Sequence, residues 1–201
     1  MLRTTFAVLS LLFLAPFAFG ETPAIVKVEE FWTLKVRDPE PASISPQLTT
    51  SMAPDCHTGE SGLYTSFCMN HQLNGDEFEA GGLQLQLWSG DHLLARQSSD
   101  AYDLLANNAE TVTWTQELSV ANGILTFSIK NGQSQSWGSF GPNLKISVES
   151  PVSNLNDYCP LYSVNNSGPV FAGNRVDSIG ITRVRVTYAS GETAEIDATA
   201  N

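Results

Sequence analysis

The sequence predicts an all-β protein, an antiparallel β-sandwich or jelly roll forming one domain. Short runs that alternate apolar and polar residues recur along residues 21–201, and Gly, Asn-Gly and Ser-Gly turn signals separate them. No stretch keeps a helical apolar period for three turns, which argues against a helical or α/β fold. The composition does not change along these residues and no repeat or linker divides them, so we expect a single domain.

The predicted strands follow one another closely along the chain. The first, residues 26–36, stops at the Pro-rich segment 38–41, because proline cannot donate to a ladder. Asn122-Gly123 and Ser190-Gly191 are hairpin turn signals, and Asn131-Gly132 is a further one. Residues 100–107 are the only candidate for a helical turn, and long loops are expected at 151–174. The remaining strands are predicted at residues 47–52, 63–73, 83–88, 93–97, 111–120, 124–130, 144–148, 181–188 and 192–198.

One residue breaks the pattern of the first strand. Glu30 falls on its apolar face, between Val28 and Trp32. A buried carboxylate needs a partner, which Arg183 or Arg185 on the last long strand could supply. A β-bulge or an edge position would instead return Glu30 to solvent. We favour the bulge or edge position, because uncompensated burial of charge is costly.

Residues 1–20 are predicted to be a secretory signal peptide, followed by one domain at 21–201. Arg3 gives a positive start, residues 6–19 are almost wholly apolar, and Ala18-Phe19-Gly20 places small residues at a cleavage site. We therefore expect a soluble protein, secreted or periplasmic, cleaved after about Gly20. No second apolar segment is long enough to cross a membrane, so we expect no membrane insertion.

The charge balance limits the possible partners. Cleavage removes Arg3, so nine of the ten basic residues remain against 21 acidic ones, a net charge of −12. This acidic excess excludes nucleic acid as a partner, because phosphate binding needs basic surface. Calcium is a possible cofactor, since Asp76, Glu77 and Glu79 share one loop, although a solvated acidic loop is the more ordinary interpretation. We expect no other cofactor.

Three cysteines make an odd count for an exported chain. Three pairings are open, and we favour Cys56–Cys68 with Cys159 free, because a Gly-rich loop joins the first two. A zinc site built from Cys56, Cys68, His57 and His71 is the alternative. Secretion favours the disulfide, and adjacent strand residues such as Cys56 and His57 point to opposite faces. We therefore expect no metal site here.

Aromatic and amide side chains are the candidate ligand contacts. Trp137 and Phe140 lie in a Gly- and Ser-rich segment with little local cover. Gln84, Gln86 and Trp88 share one face of a strand. Exposed rings beside amides are typical of sugar-binding sandwiches, whereas large aromatics more often serve the core.

Catalytic motifs are sparse. No nucleophile elbow, His-Glu-x-x-His or phosphate-binding loop is present. A glycosidase needs two carboxylates across a cleft, and Glu30, Glu117 and Glu149 lie on predicted strands. With 21 acidic residues, three such positions are expected by chance.

Four stretches carry a family resemblance: Glu29-Glu-Phe-Trp-Thr-Leu, Gly81-Gly-Leu-Gln-Leu-Gln-Leu-Trp, Thr111-Val-Thr-Trp-Thr-Gln, and the pair Trp137-Gly-Ser-Phe-Gly with Asn174-Arg-Val-Asp-Ser. Through them the chain resembles uncharacterised secreted proteins of planctomycete-type bacteria, a group that implies no activity and no site residues. In architecture it is similar to concanavalin-like and laminin-G-like jelly rolls, which commonly bind carbohydrate or protein. That likeness is one of fold only.

These observations favour a secreted, non-enzymatic binding module for a glycan or a cell-surface component. A carbohydrate-active hydrolase with paired carboxylates is the first alternative, and a purely structural envelope or matrix protein is the second.

Overall fold

The computed structural model describes residues 23–55, 62–70, 82–99, 103–165 and 175–198. Twelve strands and a short 3-10 helix at Pro41–Ser43 account for the regular structure of these residues. The strands are β1 (Ile25–Val36), β2 (Gln47–Ala53), β3 (Leu63–Met69), β4 (Leu83–Ser89), β5 (His92–Ser98), β6 (Thr111–Ala121), β7 (Ile124–Ser134), β8 (Gly138–Phe140), β9 (Lys145–Glu149), β10 (Cys159–Asn165), β11 (Val176–Tyr188) and β12 (Thr193–Asp197).

Two antiparallel sheets form a sandwich, which confirms the predicted all-β fold class. The large sheet has seven strands in the order β12-β11-β1-β6-β7-β8, and β9 also pairs with β7. The small sheet has five strands in the order β10-β2-β3-β4-β5. No helix among the described residues is long and apolar enough to cross a membrane.

The core lies between the two sheets and follows the alternation of the sequence. Val28, Trp32 and Leu34 of β1 point inward, and Trp32 stacks on Trp114 of β6 at a centroid distance of 5.8 Å. Phe67 of β3 meets the Trp114 ring edge-on from the small sheet. Each such side chain contributes about 1.5–3 kcal/mol by its burial, so the alternating strands are the main source of stability.

Two turn signals in the sequence have different outcomes. Asn122 and Gly123 both take positive φ and connect β6 to β7, as predicted. The turn predicted at Asn131-Gly132 is wrong, because β7 continues through it to Ser134. Asn131 takes φ 53° within the strand, and the pairing with β6 slips by one residue there, as in a β-bulge.

Other differences from the predicted strands have local causes. β3 ends at Met69 because Asn70 takes φ 60°. The Asn70 side chain is then buried, where its Nδ2 donates to the Pro46 carbonyl at 2.7 Å. β10 lies within the segment predicted as loops, since Pro160 weakens the strand pattern but is tolerated on an edge strand.

The predicted Cys56–Cys68 disulfide is also wrong. Cys68 is a free thiol, buried on β3, and Cys56 lies outside the described residues. Cys159 is disulfide-bonded. The predicted signal peptide at 1–20 lies outside the described residues, as do residues 100–102 of the candidate helical turn. Its remaining residues, 103–107, form no helix.

Candidate functional site

The two rings predicted to form an exposed stacking surface are part of the core. Trp137 is 8% exposed and Phe140 is 6% exposed, and the two meet edge to face at 6.0 Å. The indole N–H of Trp137 donates to the Asp103 carbonyl at 2.6 Å. Distant parts of the chain therefore supply the cover that the local Gly- and Ser-rich sequence lacks, and no open ring remains here for a sugar.

The amide strip of β4 is also covered. Gln84 is 1% exposed and Gln86 is 3% exposed. Trp88 is half-buried, and its N–H donates to Gln86 Oε1 at 3.1 Å. The Trp88 ring stacks on Tyr64 at 6.3 Å. The predicted glycan site requires these side chains to be exposed, and they are instead packed against other residues.

The predicted metal positions lie largely outside the described residues. Asp76, Glu77 and Glu79, the candidate calcium ligands, all do, and so do His57 and His71 of the alternative zinc site. Among the residues that the structure does describe, no group of three or more His, Cys, Asp or Glu side chains is placed to hold a metal ion.

Glu30 is the most unusual polar residue of the core. β1 pairs with both β11 and β6, so it is not an edge strand. The register shift against β11 falls between Phe31 and Trp32, and it leaves Glu30 facing inward. The side chain is 0% exposed. The favoured prediction of a bulge or edge position that returns Glu30 to solvent is therefore wrong.

The arginines proposed as partners of a buried Glu30 lie elsewhere. Arg183 and Arg185 both pack over the ring of Phe31, whose side chain points to the opposite face of β1. Both arginines also pair with Glu195 on that outer face. No ion pair with Glu30 is found within the described part of the chain, so another interaction must compensate its burial.

Neutral donors surround the Glu30 carboxyl instead. Its Oε2 accepts from the indole N–H of Trp32 at 2.8 Å and from the Gln116 amide at 2.5 Å. Its Oε1 accepts from the Tyr158 hydroxyl at 2.6 Å. Both oxygens are therefore satisfied without a cation, and the group is held by one residue from each of two strands and one from the segment before β10.

Gln116 has a fixed orientation in this network. It lies directly opposite Glu30 in the pairing of β1 with β6 and is itself 0% exposed. Its Oε1 accepts from the Thr50 hydroxyl at 2.8 Å and from the Trp114 indole at 3.4 Å. The amide nitrogen is therefore turned toward Glu30. Within the described residues, its second hydrogen has no acceptor.

Burial determines the protonation of Glu30. Loss of hydration raises the pKa of this carboxyl from its ordinary 4.5 to about 7, although hydrogen bonds from Tyr158, Trp32 and Gln116 each lower it. Below this pH the neutral acid predominates. Its proton must lie on Oε1, because Oε2 faces two N–H donors, and Oε1 then donates to Tyr158.

A buried carboxyl whose pKa lies near neutrality can exchange a proton at working pH. This property is shared by general acids and bases in enzymes, which use burial to reach the same range. An amide N–H fixed beside it can stabilise negative charge on a substrate oxygen. We call Glu30, Gln116, Tyr158, Trp32, Trp114 and Thr50 the Glu30 network.

The sequence pattern contained part of this site. Gln116 interrupts the apolar face of β6 just as Glu30 interrupts that of β1, so the same test would have found it. Tyr158 carries no such signal, because it lies in an irregular segment 128 residues from Glu30.

The paired carboxylates of a glycosidase do not meet around Glu30. Glu117 follows Gln116 directly and faces the outer side of the large sheet, where it pairs with Lys27 and Lys130. Glu149 is exposed at the end of β9. A second carboxylate across a cleft, which glycoside hydrolysis needs, is therefore missing from the candidate trio.

No protein-family model matches the chain, and no curated protein matches it. Among solved structures, it is similar to scytalido-glutamic peptidase with a peptide-based transition state analog, at 12% identity and a TM-score of 0.38 over 88% of this chain and 82% of that one. It is also similar to SCP-B, a member of the Eqolisin family of peptidases, in a complex with the tripeptide Ala-Ile-His. There the identity is 12% and the TM-score 0.33, over 88% and 81% of the two chains.

These solved structures are of peptidases, not of non-enzymatic binding modules. The predicted binding module is wrong on this chain's own residues, because its proposed contacts Trp137, Phe140, Gln84 and Gln86 are buried. TM-scores below 0.5 leave the activity of this chain to be argued from its own residues.

Proposed function

We propose that this protein is a hydrolase of acyl bonds, amide or ester, that works at neutral to mildly alkaline pH, where Glu30 is ionised, through Glu30 and Gln116. The observation that carries the proposal is the Glu30 carboxyl, buried without a cation and hydrogen-bonded to an amide with one N–H to spare. A core that needs only stability gains little from a buried acid, because apolar residues of similar volume do as well or better.

The chemistry follows from the two groups. Ionised Glu30 takes a proton from a water molecule whose oxygen attacks the substrate carbonyl carbon. The spare N–H of Gln116 stabilises the negative charge that forms on the carbonyl oxygen. Neutral Glu30 then returns the proton to the leaving nitrogen or oxygen as the acyl bond breaks. One carboxyl is sufficient for this sequence, which is why acyl transfer fits the site better than glycoside hydrolysis.

The test is an assay of residues 21–201 on an unfolded protein and on an aryl ester between pH 3 and 8. Glu30→Gln preserves the shape of the side chain and abolishes proton transfer, so we expect a rate loss of about 10²–10⁴-fold. Gln116→Leu should cost about 10²–10³-fold. Glu149→Gln, at an exposed position, is the matched control and should cost nothing.

Two results would reject the proposal. One is an inert natural protein on both substrates, and the other is a Glu30→Gln variant that keeps its rate. Export remains part of the proposal, because a signal peptide is expected at residues 1–20.

A further inference from the structure

The Glu30 carboxyl has no solvent-exposed surface, so a substrate can reach it only if a neighbour moves. Five of the six members of the Glu30 network belong to strands inside the two sheets. Trp32 and Gln116 lie on the large sheet, and Thr50 lies on β2 of the small sheet. The backbones of these residues are held by strand pairing.

Tyr158 is the exception, because it lies in the segment of residues 150–158 that connects β9 to β10 without forming a strand. Its side chain is half-buried, whereas that of Glu30 is wholly buried. Its hydroxyl nevertheless reaches Glu30 Oε1 at 2.6 Å. The ring therefore extends from near the surface to the carboxyl.

The two oxygens of Glu30 are held by different parts of the molecule. Oε2 is fixed by the sheet residues Trp32 and Gln116. Oε1, the oxygen that carries the proton, has Tyr158 as its partner in the described residues. Displacing the phenol would therefore free the reactive oxygen and leave the carboxyl in position.

On the N-terminal side of Tyr158, the segment is anchored to β1. Leu155 is wholly buried and its N–H donates to the Ile25 carbonyl at 2.8 Å. The Asn156 side chain accepts from the Ile25 N–H at 2.8 Å. Tyr158 follows three residues after Leu155, and its own N–H makes a longer bond to the Leu155 carbonyl, at 3.2 Å.

We infer that Tyr158 is the movable cover of Glu30 and that a substrate reaches Oε1 of Glu30 by displacing the Tyr158 hydroxyl. This inference rests on the proposed function. Tyr158 is then a positioning residue: in the closed state it holds the proton-bearing oxygen, and in the open state its place is taken by the substrate carbonyl and the attacking water. The closed position of Tyr158 competes with substrate binding, so it raises the apparent KM.

No charged side chain complicates the titration of Glu30 in the described residues. Trp32, Gln116 and Tyr158 face it and are neutral, and burial keeps the pKa of the Tyr158 phenol well above its usual value. Glu29 and Arg185 lie on the outer face of the sheet, and Asp157 is exposed.

The first experiment measures access to Glu30 without any substrate. A water-soluble carbodiimide and an amine label carboxyls at pH 5, and mass spectrometry reads the label on Glu30. We expect Tyr158→Ala to be labelled faster than the natural protein by roughly tenfold or more, the factor that about 1.4 kcal/mol of lost closing free energy gives. Tyr188→Ala is the matched control, since Tyr188 is a half-buried core tyrosine of β11.

The second experiment uses Tyr158→Phe, which keeps the ring and removes only the hydroxyl. We expect a lower KM with little change in kcat. We also expect the pH midpoint of the Glu30 titration to move upward, because the lost bond stabilised the ionised form. A residue that only fills space would leave both quantities unchanged.

The outcomes distinguish the proposed hydrolase activity from the proposed cover over Glu30. Equal labelling of Glu30 in the natural protein, Tyr158→Ala and Tyr188→Ala overturns the cover, as does an unchanged KM and pH midpoint in Tyr158→Phe. If the natural protein cleaves no acyl substrate while Tyr158→Ala exposes Glu30, the hydrolase proposal fails and Tyr158 is a structural cover with no substrate to admit.

Discussion

Replacing Glu30 by Gln should make the protein more stable at pH 8 and leave it nearly unchanged at pH 5. The variant keeps the hydrogen-bonding pattern, because its carbonyl oxygen can accept from Trp32 and Gln116 while its amide donates to Tyr158. It differs from the natural residue in having no ionised form.

The size of the effect follows from the protonation of Glu30. Its pKa is about 7 in the folded protein and near 4.5 in the unfolded chain. The folded state therefore binds more protons than the unfolded state between these pH values, and stability falls as pH rises through this window. The total loss is about 3 kcal/mol, complete a little above pH 7. For a domain of this size, that corresponds to about 6–12 °C in Tm.

The assay is urea denaturation of both proteins at pH 5, 6, 7 and 8. Other titrating groups are shared, so their contributions cancel when the free energy of unfolding of one protein is subtracted from that of the other. We expect this difference to grow by about 2.5 kcal/mol from pH 5 to pH 8 in favour of the variant. Glu149→Gln provides the control at an exposed site. A difference that stays constant across the pH range would show that Glu30 does not titrate near neutrality.

Two further outcomes test the core. Trp137→Ala should lower the free energy of unfolding, measured in urea, by about 3–5 kcal/mol, because the ring packs on Phe140 inside the sandwich. A cost below about 1 kcal/mol would contradict the burial of Trp137. The Cys68 thiol should react slowly with a thiol reagent in the native protein and rapidly in denaturant, since burial raises its pKa to about 11. Fast reaction of Cys68 in the native state would contradict its placement on β3.

The sequence predicted the positions of the strands more reliably than it predicted which residues surround each side chain. Alternation located β1, β6 and β11 because each has one face toward the core, and this local rule needs no knowledge of partners. Asn131-Gly132 shows its limit. Asn131 takes positive φ but Gly132 does not; Gly132 instead pairs with Phe140 of β8, and an added Cβ there would come within 2.3 Å of a ring atom. The strand therefore continues.

The candidate site was half visible in the sequence. Glu30 was identified as a residue out of pattern, but the prediction considered only arginine as a partner and so favoured solvent. A neutral carboxyl needs hydrogen bonds rather than a cation, and these come from Gln116 and Tyr158, which are 86 and 128 residues away in the chain. No local pattern reports such distances. The prediction that Trp137 is exposed is wrong for a related reason, because the residues that bury it are also distant in the chain.

The position of β1 has a consequence for how the chain matures. The N-terminal strand is not at the edge of the large sheet but between β6 and β11, and its partner β11 is among the last strands to leave the ribosome. The large sheet cannot be completed on a growing chain, since the closing pairs include residues more than 150 apart, such as Glu29 with Arg185. Until then Glu30 is hydrated and ionised at neutral pH, so completing the fold there includes the uptake of about half a proton per molecule. A chain that stays open until its end is made is also one that can be threaded through a membrane before it folds.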